Sequence, residues 1–212
     1  MSVSTKAQED LIYLFFQHGS AYNSIWVGDY HGHGDSWEIE HEVPNVEMSI
    51  RDSPAVDRYR GRIRIVYQNE QQRGQLWYTI LEEVDRRYVW TDPQQVPYSI
   101  ISLTPNAVVF QGRIHVFYQE AGRNGQLCFV VFNGRSWDYP SKVDLRDAMS
   151  MSPSAVVHDN QIYVFYQGPG QNGELRYISL KGSTWHNEAI VPSSVIPKPR
   201  SHPLELTPVI LA

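Results

Sequence analysis

The segment SPSAVVHDNQIYVFYQGPGQNGELRYISLKGSTW, Ser152 to Trp185, decides the fold because the chain states it again. TPNAVVFQGRIHVFYQEAGRNGQLCFVVFNGRSW runs from Thr104 to Trp137, and SPAVDRYRGRIRIVYQNEQQRGQLWYTI opens at Ser53. LIYLFFQHGSAYNSIWV, from Leu11 to Val27, is a worn fourth copy without its beginning. Two register marks hold through all four. Gln17, Gln68, Gln119 and Gln167 each stand eight residues before Ile25, Leu76, Leu127 and Leu175. Trp37, Trp90, Trp137 and Trp185 each stand six residues before Val43, Val96, Val143 and Val191. Insertions fall between these blocks, as they must if the blocks are strands and the gaps are loops. A period of about fifty residues marks a repeat architecture.

Each copy reads as four short strands. The first is small and apolar after a Ser/Thr-Pro pair, and a turn follows with Asp10, Gly61, Gly112 or Asn160, residues that tolerate tight geometry. The second strand ends at the repeated glutamine and is dense in β-branched and aromatic residues. A Gly/Asn-rich hairpin leads to the third, and the fourth lies between the tryptophan and the valine. No stretch keeps a 3.6-residue apolar period, so helix is expected to be minor. The sequence therefore predicts an all-β chain, a four-bladed β-propeller with four antiparallel strands per blade. The blades run approximately over 207–212 with 8–49, 50–101, 102–150 and 151–196, in a single domain spanning 1–212. Val3 to Gln8 is too polar for a missing inner strand, whereas Thr207 to Ala212 carries the strand-one signature. The C-terminal strand is thus expected to pair into the N-terminal blade and close the ring. A β-sandwich of as many strands would not explain one strand order recurring in each period.

Composition narrows the functions. A formal charge of −5 gives no overall basic surface for nucleic acid. No run of apolar residues is long enough for a membrane helix. The first ten residues lack the apolar core of a secretory signal, and the lone Cys128 forms no internal disulfide. These features lead to an expectation of a cytoplasmic or non-classically secreted protein.

The candidate ligand groups sit at one end of the strands. Polar hairpins carry Arg73, Arg123, Asn124 and Asn172, and aromatic residues lie at their bases: Trp26, Tyr67, Trp77, Tyr118 and Tyr166. Gln68, Gln119 and Gln167 end the second strands beside them. An aromatic ring can pack on the C–H face of a sugar while amide and guanidinium forks pair with its vicinal hydroxyls. The glutamines could equally satisfy neighbouring backbone groups, and the four repeated tryptophans suit wedges between blades better than ligand platforms. Trp77 aligns with Cys128 and Arg176, a variability that argues for a position outside the deep core. His31, His33, Asp35 and His41 have the makings of a metal site, but a plain hairpin accounts for them.

The run G-R/Q-I-x-V-x-Y-Q, then N-G-x-L-x-Y/F and G-x-x-W, resembles the blades of fungal and bacterial sugar-binding propeller lectins, including fucose-specific and tachylectin-like ones. The four-copy size is similar to hemopexin-type domains. The resemblance implies a lectin that binds glycans on glycoproteins or glycolipids through repeated pockets, with multivalent gain. The hemopexin likeness implies an alternative: a small-ligand or protein-interaction scaffold, with a structural cation in the central channel and a homodimer as an option. No other cofactor is implied. Gly134 to Trp137 and Gly182 to Trp185 echo a sialidase turn, yet its aspartate is replaced by Asn133 and Lys181. Glu82-Glu83 and Glu38, Glu40 and Glu42 look like surface charges, not the paired carboxylates of a glycosidase. Catalysis is not expected.

Overall fold

The computed structural model describes residues 3–8, 11–17, 24–31, 36–49, 53–71, 74–84, 87–122, 125–169 and 173–192. It is built of strands that pair with their sequence neighbours. The first array is β1 (Val3–Gln8), β2 (Leu11–Gln17), β3 (Ile25–His31) and β4 (Ser36–Glu42), in that order. The second holds β5 (Ala55–Tyr59), β6 (Arg62–Gln68) and β7 (Gln75–Val84), which pairs with both β8 (Arg87–Trp90) and the start of β9 (Gln94–Phe110). The far end of β9 begins the third array, followed by β10 (Arg113–Glu120), β11 (Leu127–Phe132) and β12 (Ser141–Lys142). The fourth is β13 (Ser154–His158), β14 (Gln161–Gln167), β15 (Leu175–Lys181) and β16 (Thr184–Ile190). Gly61, Gly112 and Asn160 all adopt positive φ (77°, 68° and 55°) in the turn after the inner strand, which is why that turn repeats those residue types.

The two register marks meet in space. Val43 N donates to Ile25 O at 2.8 Å, Val143 N to Leu127 O at 2.9 Å and Val191 N to Leu175 O at 2.9 Å. The glutamine-to-leucine and tryptophan-to-valine spacings thus record the hydrogen-bonded start of strand three and end of strand four.

The arrays stack face to face in chain order. β5 lies beside β1, β9 beside β5 and β13 beside β9, so the inner strands gather along one line. The Ser/Thr of the Ser/Thr-Pro pairs joins them: Ser53 N donates to Thr104 Oγ1 and Thr104 N to Ser152 Oγ, each at 3.1 Å. Three apolar layers fill the seams, and each draws on two consecutive arrays. Phe15, Ile25 and Val43 meet Ile63, Ile65 and Tyr67; Val66 and Tyr78 meet Ile114, Val116 and Val130; Phe117 and Leu127 meet Ile162, Val164 and Leu180. Tryptophan spans each seam. Trp90 stands edge-on to Phe15 of the preceding array (6.5 Å, 86°), Trp137 to Tyr78 (5.4 Å, 62°), and Trp185 to Phe129 (5.6 Å, 67°). Edge-to-face pairs of this kind add to the burial of the rings.

Burial patterns follow from this stacking. In β6 and β10 the interior residues are buried without alternation, because another array covers each face. In β14 burial alternates strictly, since one face packs into the layer shared with the third array and the other is only half-buried among the described residues.

One expectation is corrected here. Val3–Gln8 does form the inner strand of the first array, pairing antiparallel with β2 from Val3↔Phe16 to Gln8↔Leu11. Backbone pairing to an apolar neighbour is enough to hold a polar strand there, so the edge reserved for the C-terminus is occupied. Thr207 to Ala212 lie outside the described residues. Among the described residues, no hydrogen-bonded pairing joins the first array to the last.

If the tryptophans hold the seams, Trp137→Ala lowers the unfolding free energy by about 3 kcal/mol, the usual range for emptying a large aromatic site. Urea unfolding measures it, and a loss under about 1 kcal/mol would show that the ring is not a wedge.

Candidate functional site

Strands two and three turn over at the same end where strand four crosses to the next array. The crossing links are clamped between successive hairpins. Glu70 N donates to Glu47 O and Ser49 N to Gln68 O, both at 3.0 Å. Ile101 N donates to Gly74 O at 2.7 Å and Ala121 N to Ile100 O at 3.1 Å. Met149 N donates to Gly125 O and Ser150 N to Gln167 O, both at 2.9 Å. The backbone of this face is therefore fixed, and side chains decide what it offers.

Several residues singled out from sequence are interior. Tyr67, Tyr118 and Tyr166 are 0%, 2% and 1% exposed. Each is covered where two arrays meet. Gln68 Nε2 donates to Ile101 O and Gln119 Nε2 to Met149 O, each at 3.2 Å, tying the end of strand two to the crossing link. The repeated Tyr-Gln is thus a structural motif at these positions. Gln167 is half-buried. Trp26 is half-buried, with Nε1 donating to Ser24 Oγ at 3.2 Å, and Trp77 packs against the first seam. The aligned Cys128 is 3% exposed, which corrects the expectation that this position lies outside the core. Arg73, Arg123, Asn124 and Asn172 fall outside the described residues, as do His33 and Asp35. Glu82 pairs with Arg62 at 3.3 Å, as a surface charge would.

Two recesses open at the seams. The first, of about 530 Å³, lies between the second and third arrays. Tyr118, Ala121 and Cys128 lie along its floor, with Tyr98, Ile100, Glu120, Tyr139, Pro140 and Lys142 around them. Tyr98 and Tyr139 are 71% and 74% exposed, yet their rings stack at 4.9 Å and 24°. Tyr98 also has φ of 58°, a left-handed conformation unusual for an aromatic residue. Such strain gathers at binding sites. Lys142 Nζ reaches Glu120 Oε2 at 3.0 Å. Burial pushes the Tyr118 hydroxyl up to about 12 and the Cys128 thiol up to about 11, so both are neutral at physiological pH.

The second recess, of about 600 Å³, lies between the third and fourth arrays and is lined by Asp144, Arg146, Ile178, Trp185, His186 and Glu188. Glu188 of this lining belongs to an ion-pair network. Arg176 Nη1 meets Asp147 Oδ2 at 2.6 Å and Glu188 Oε1 at 2.7 Å, and Nη2 meets Glu174 Oε2 at 3.3 Å. Arg146 N donates to Glu188 Oε2 at 2.7 Å, so both oxygens of Glu188 are engaged. Sequence reasoning missed Tyr98, Tyr139, Lys142, Asp147 and Glu188, because they belong to crossing links and fourth strands, which vary between copies. The available signal was aromatic residues beside proline in polar loops, Pro97-Tyr98 and Tyr139-Pro140.

No protein-family model and no curated protein matches the chain. Solved structures do. The lectin of the fungus Aleuria aurantia, described as a six-bladed β-propeller with a fucose recognition mode, shares 18% identity over 86% of this chain, with a TM-score of 0.63. This chain spans 57% of that lectin's length. A protein of unknown function from Dyadobacter fermentans shares 16% identity, with 89% of this chain and 64% of that one covered and a TM-score of 0.62. An α-L-arabinofuranosidase from Clostridium thermocellum shares 10% identity, with 92% and 74% covered and a TM-score of 0.61. At these identities the likeness establishes the fold: an all-β chain of propeller type.

Two measurements check the electrostatics of the recesses. Burial alone would raise the Glu188 carboxyl above its ordinary value of 4.5, but the Arg146 amide and Arg176 guanidinium outweigh it and hold it lower. A carboxylate held low stabilises the fold above its unfolded pKa, and that stability is lost as pH falls through the folded value. Glu188→Gln is therefore destabilising at pH 7, and urea titrations should show the difference shrinking below about pH 4.5. Cys128 in the folded protein should resist iodoacetamide at about pH 8, because its thiolate is scarce and covered, and react promptly once urea unfolds the chain.

Proposed function

We propose that the protein is a non-catalytic carbohydrate-binding module, and that the recess between the second and third arrays takes a sugar of a glycoconjugate. The observation that carries this is the Tyr98–Tyr139 pair, two stacked and solvent-open rings held over a recess of about 530 Å³. That volume lies within the ordinary range for small-ligand sites. A pyranose ring presents an apolar C–H face and a rim of hydroxyls. The tyrosine rings suit the first, while Lys142 as donor and Glu120 as acceptor suit the second. The fold shared with a fucose-recognising lectin supports this reading.

Hydrolysis is a second reading, favoured by the two carboxylates, Asp144 and Glu188, in the lining of the other recess and by the arabinofuranosidase fold likeness. Against it, Glu188 accepts from both Arg176 and the Arg146 amide and is held ionised, the wrong state for a general acid.

A glycan array with purified protein tests the first reading. Binding should appear above background and weaken tenfold or more in a Tyr98→Ala, Tyr139→Ala double variant. Equal binding by wild type and variant would move the site elsewhere, and no binding by the wild type would overturn the reading. Fluorogenic arabinofuranoside and fucoside should be turned over no faster than in buffer.

A further inference from the structure

A net charge of −5 conceals a local excess of the opposite sign. Arg58, Arg60, Arg62 and Arg64 alternate through β5, the following turn and β6. Arg62 pairs with Glu82. Arg60 and Arg64 make no ion pair among the described residues, and both instead address one ring. The Arg60 guanidinium carbon lies 5.0 Å from the centroid of Tyr59, and that of Arg64 lies 5.6 Å from it. Arg64 also sits 4.3 Å over Phe132 of the third array. Tyr59 is fixed in turn, its hydroxyl donating to Gly112 O at 2.7 Å.

The state of Arg64 is unusual. The residue is 4% exposed, and its Nε and Nη1 have no hydrogen-bond partner among the described residues. Asp57 faces it in register across the strands, and its carboxylate acts on the guanidinium through space while Oδ1 accepts the Arg58 amide at 2.7 Å. A guanidinium removed from water calls for a paired anion, and contact with aromatic faces offsets only part of the loss. Three turns converge here. Arg113 follows Gly112 and Arg135 follows Gly134, and both arginines are exposed. Gly134, at φ 100°, lies so close that a Cβ there would stand 2.9 Å from the Tyr59 hydroxyl and 3.3 Å from the Arg60 guanidinium. A side chain there would have to displace the Tyr59 hydroxyl or the Arg60 guanidinium.

We propose that this seam, at the turn end of the second and third arrays, is an anion site for a sulfate or phosphate ester, with the exposed Arg60 as its donor and the buried Arg64 as the positive charge beneath it. Guanidinium groups present paired N–H donors that match such oxyanions, and the aromatic walls lower the local dielectric and strengthen the attraction. The site stands at the opposite end of β10 from the sugar recess, about 20 Å away along an extended strand, and does not depend on the function proposed for that recess.

Isothermal titration in chloride-matched buffer tests it, with inorganic sulfate, inorganic phosphate, phenyl sulfate and phenyl phosphate as probes. Saturable binding of at least one anion is expected, weakening tenfold or more in Arg60→Gln, an exposed change that leaves the melting temperature without anion unaltered. The arms distinguish sulfate from phosphate and free ion from ester. Arg64→Met, which keeps the volume, should also abolish binding where it folds. No saturable binding by the wild type, or binding unchanged in Arg60→Gln, would overturn the proposal. Tyr98→Ala should leave anion binding intact, so a failure of the sugar reading remains distinguishable.

Discussion

The contact on which the rest of the structure depends is a tryptophan of one array set edge-on against an aromatic ring of the array before it. Trp90 on Phe15, Trp137 on Tyr78 and Trp185 on Phe129 repeat the same arrangement at three seams. Each array is a small antiparallel sheet that cannot bury both faces by itself. The seams supply the missing partner, and the apolar layers accordingly belong to pairs of arrays and to no array alone. This explains why β6 and β10 are buried on both faces while β14 alternates.

Stacking whole sheets in this way also dictates where chemistry can sit. The middle of a seam is packed, and the two recesses described open toward its end, where crossing links and hairpins replace paired strands. Tyr98 and Tyr139 come from two different crossing and fourth-strand segments, brought together by the clamp of Ile101 on Gly74 and Ala121 on Ile100. The other end of the same seam gathers Arg60, Arg64 and Gly134 around Tyr59. One interface thus carries an aromatic recess at one end and a cluster of arginines at the other, although the chain as a whole is acidic.

Much of the fold was legible in the four copies because strand pairing within an array is local. The glutamine and valine spacings mark hydrogen bonds between neighbouring strands, such as Val143 to Leu127, and these recur whenever the sequence does. The inner strand of the first array was not legible. Val3 to Gln8 lacks the apolar pattern of its counterparts, and its place is secured by backbone pairing with Leu11–Gln17. The candidate site was legible only in part. Tyr118 does reach the floor of the first recess, but repetition drew attention to Tyr67 and Tyr166 as well, and repeated residues are those the scaffold needs.

Outside the inner strand of the first array, the sequence by itself determined the strand order, the turn positions and the tryptophan that joins one copy to the next, since all of these depend on residues close in the chain. Only the tertiary structure decided which side chains face a ligand. Tyr98 meets Tyr139, and Arg60 meets Gly134, across a seam between separate arrays. Burial, exposure and the company of like charges are properties of that seam, and no spacing within a single copy encodes them.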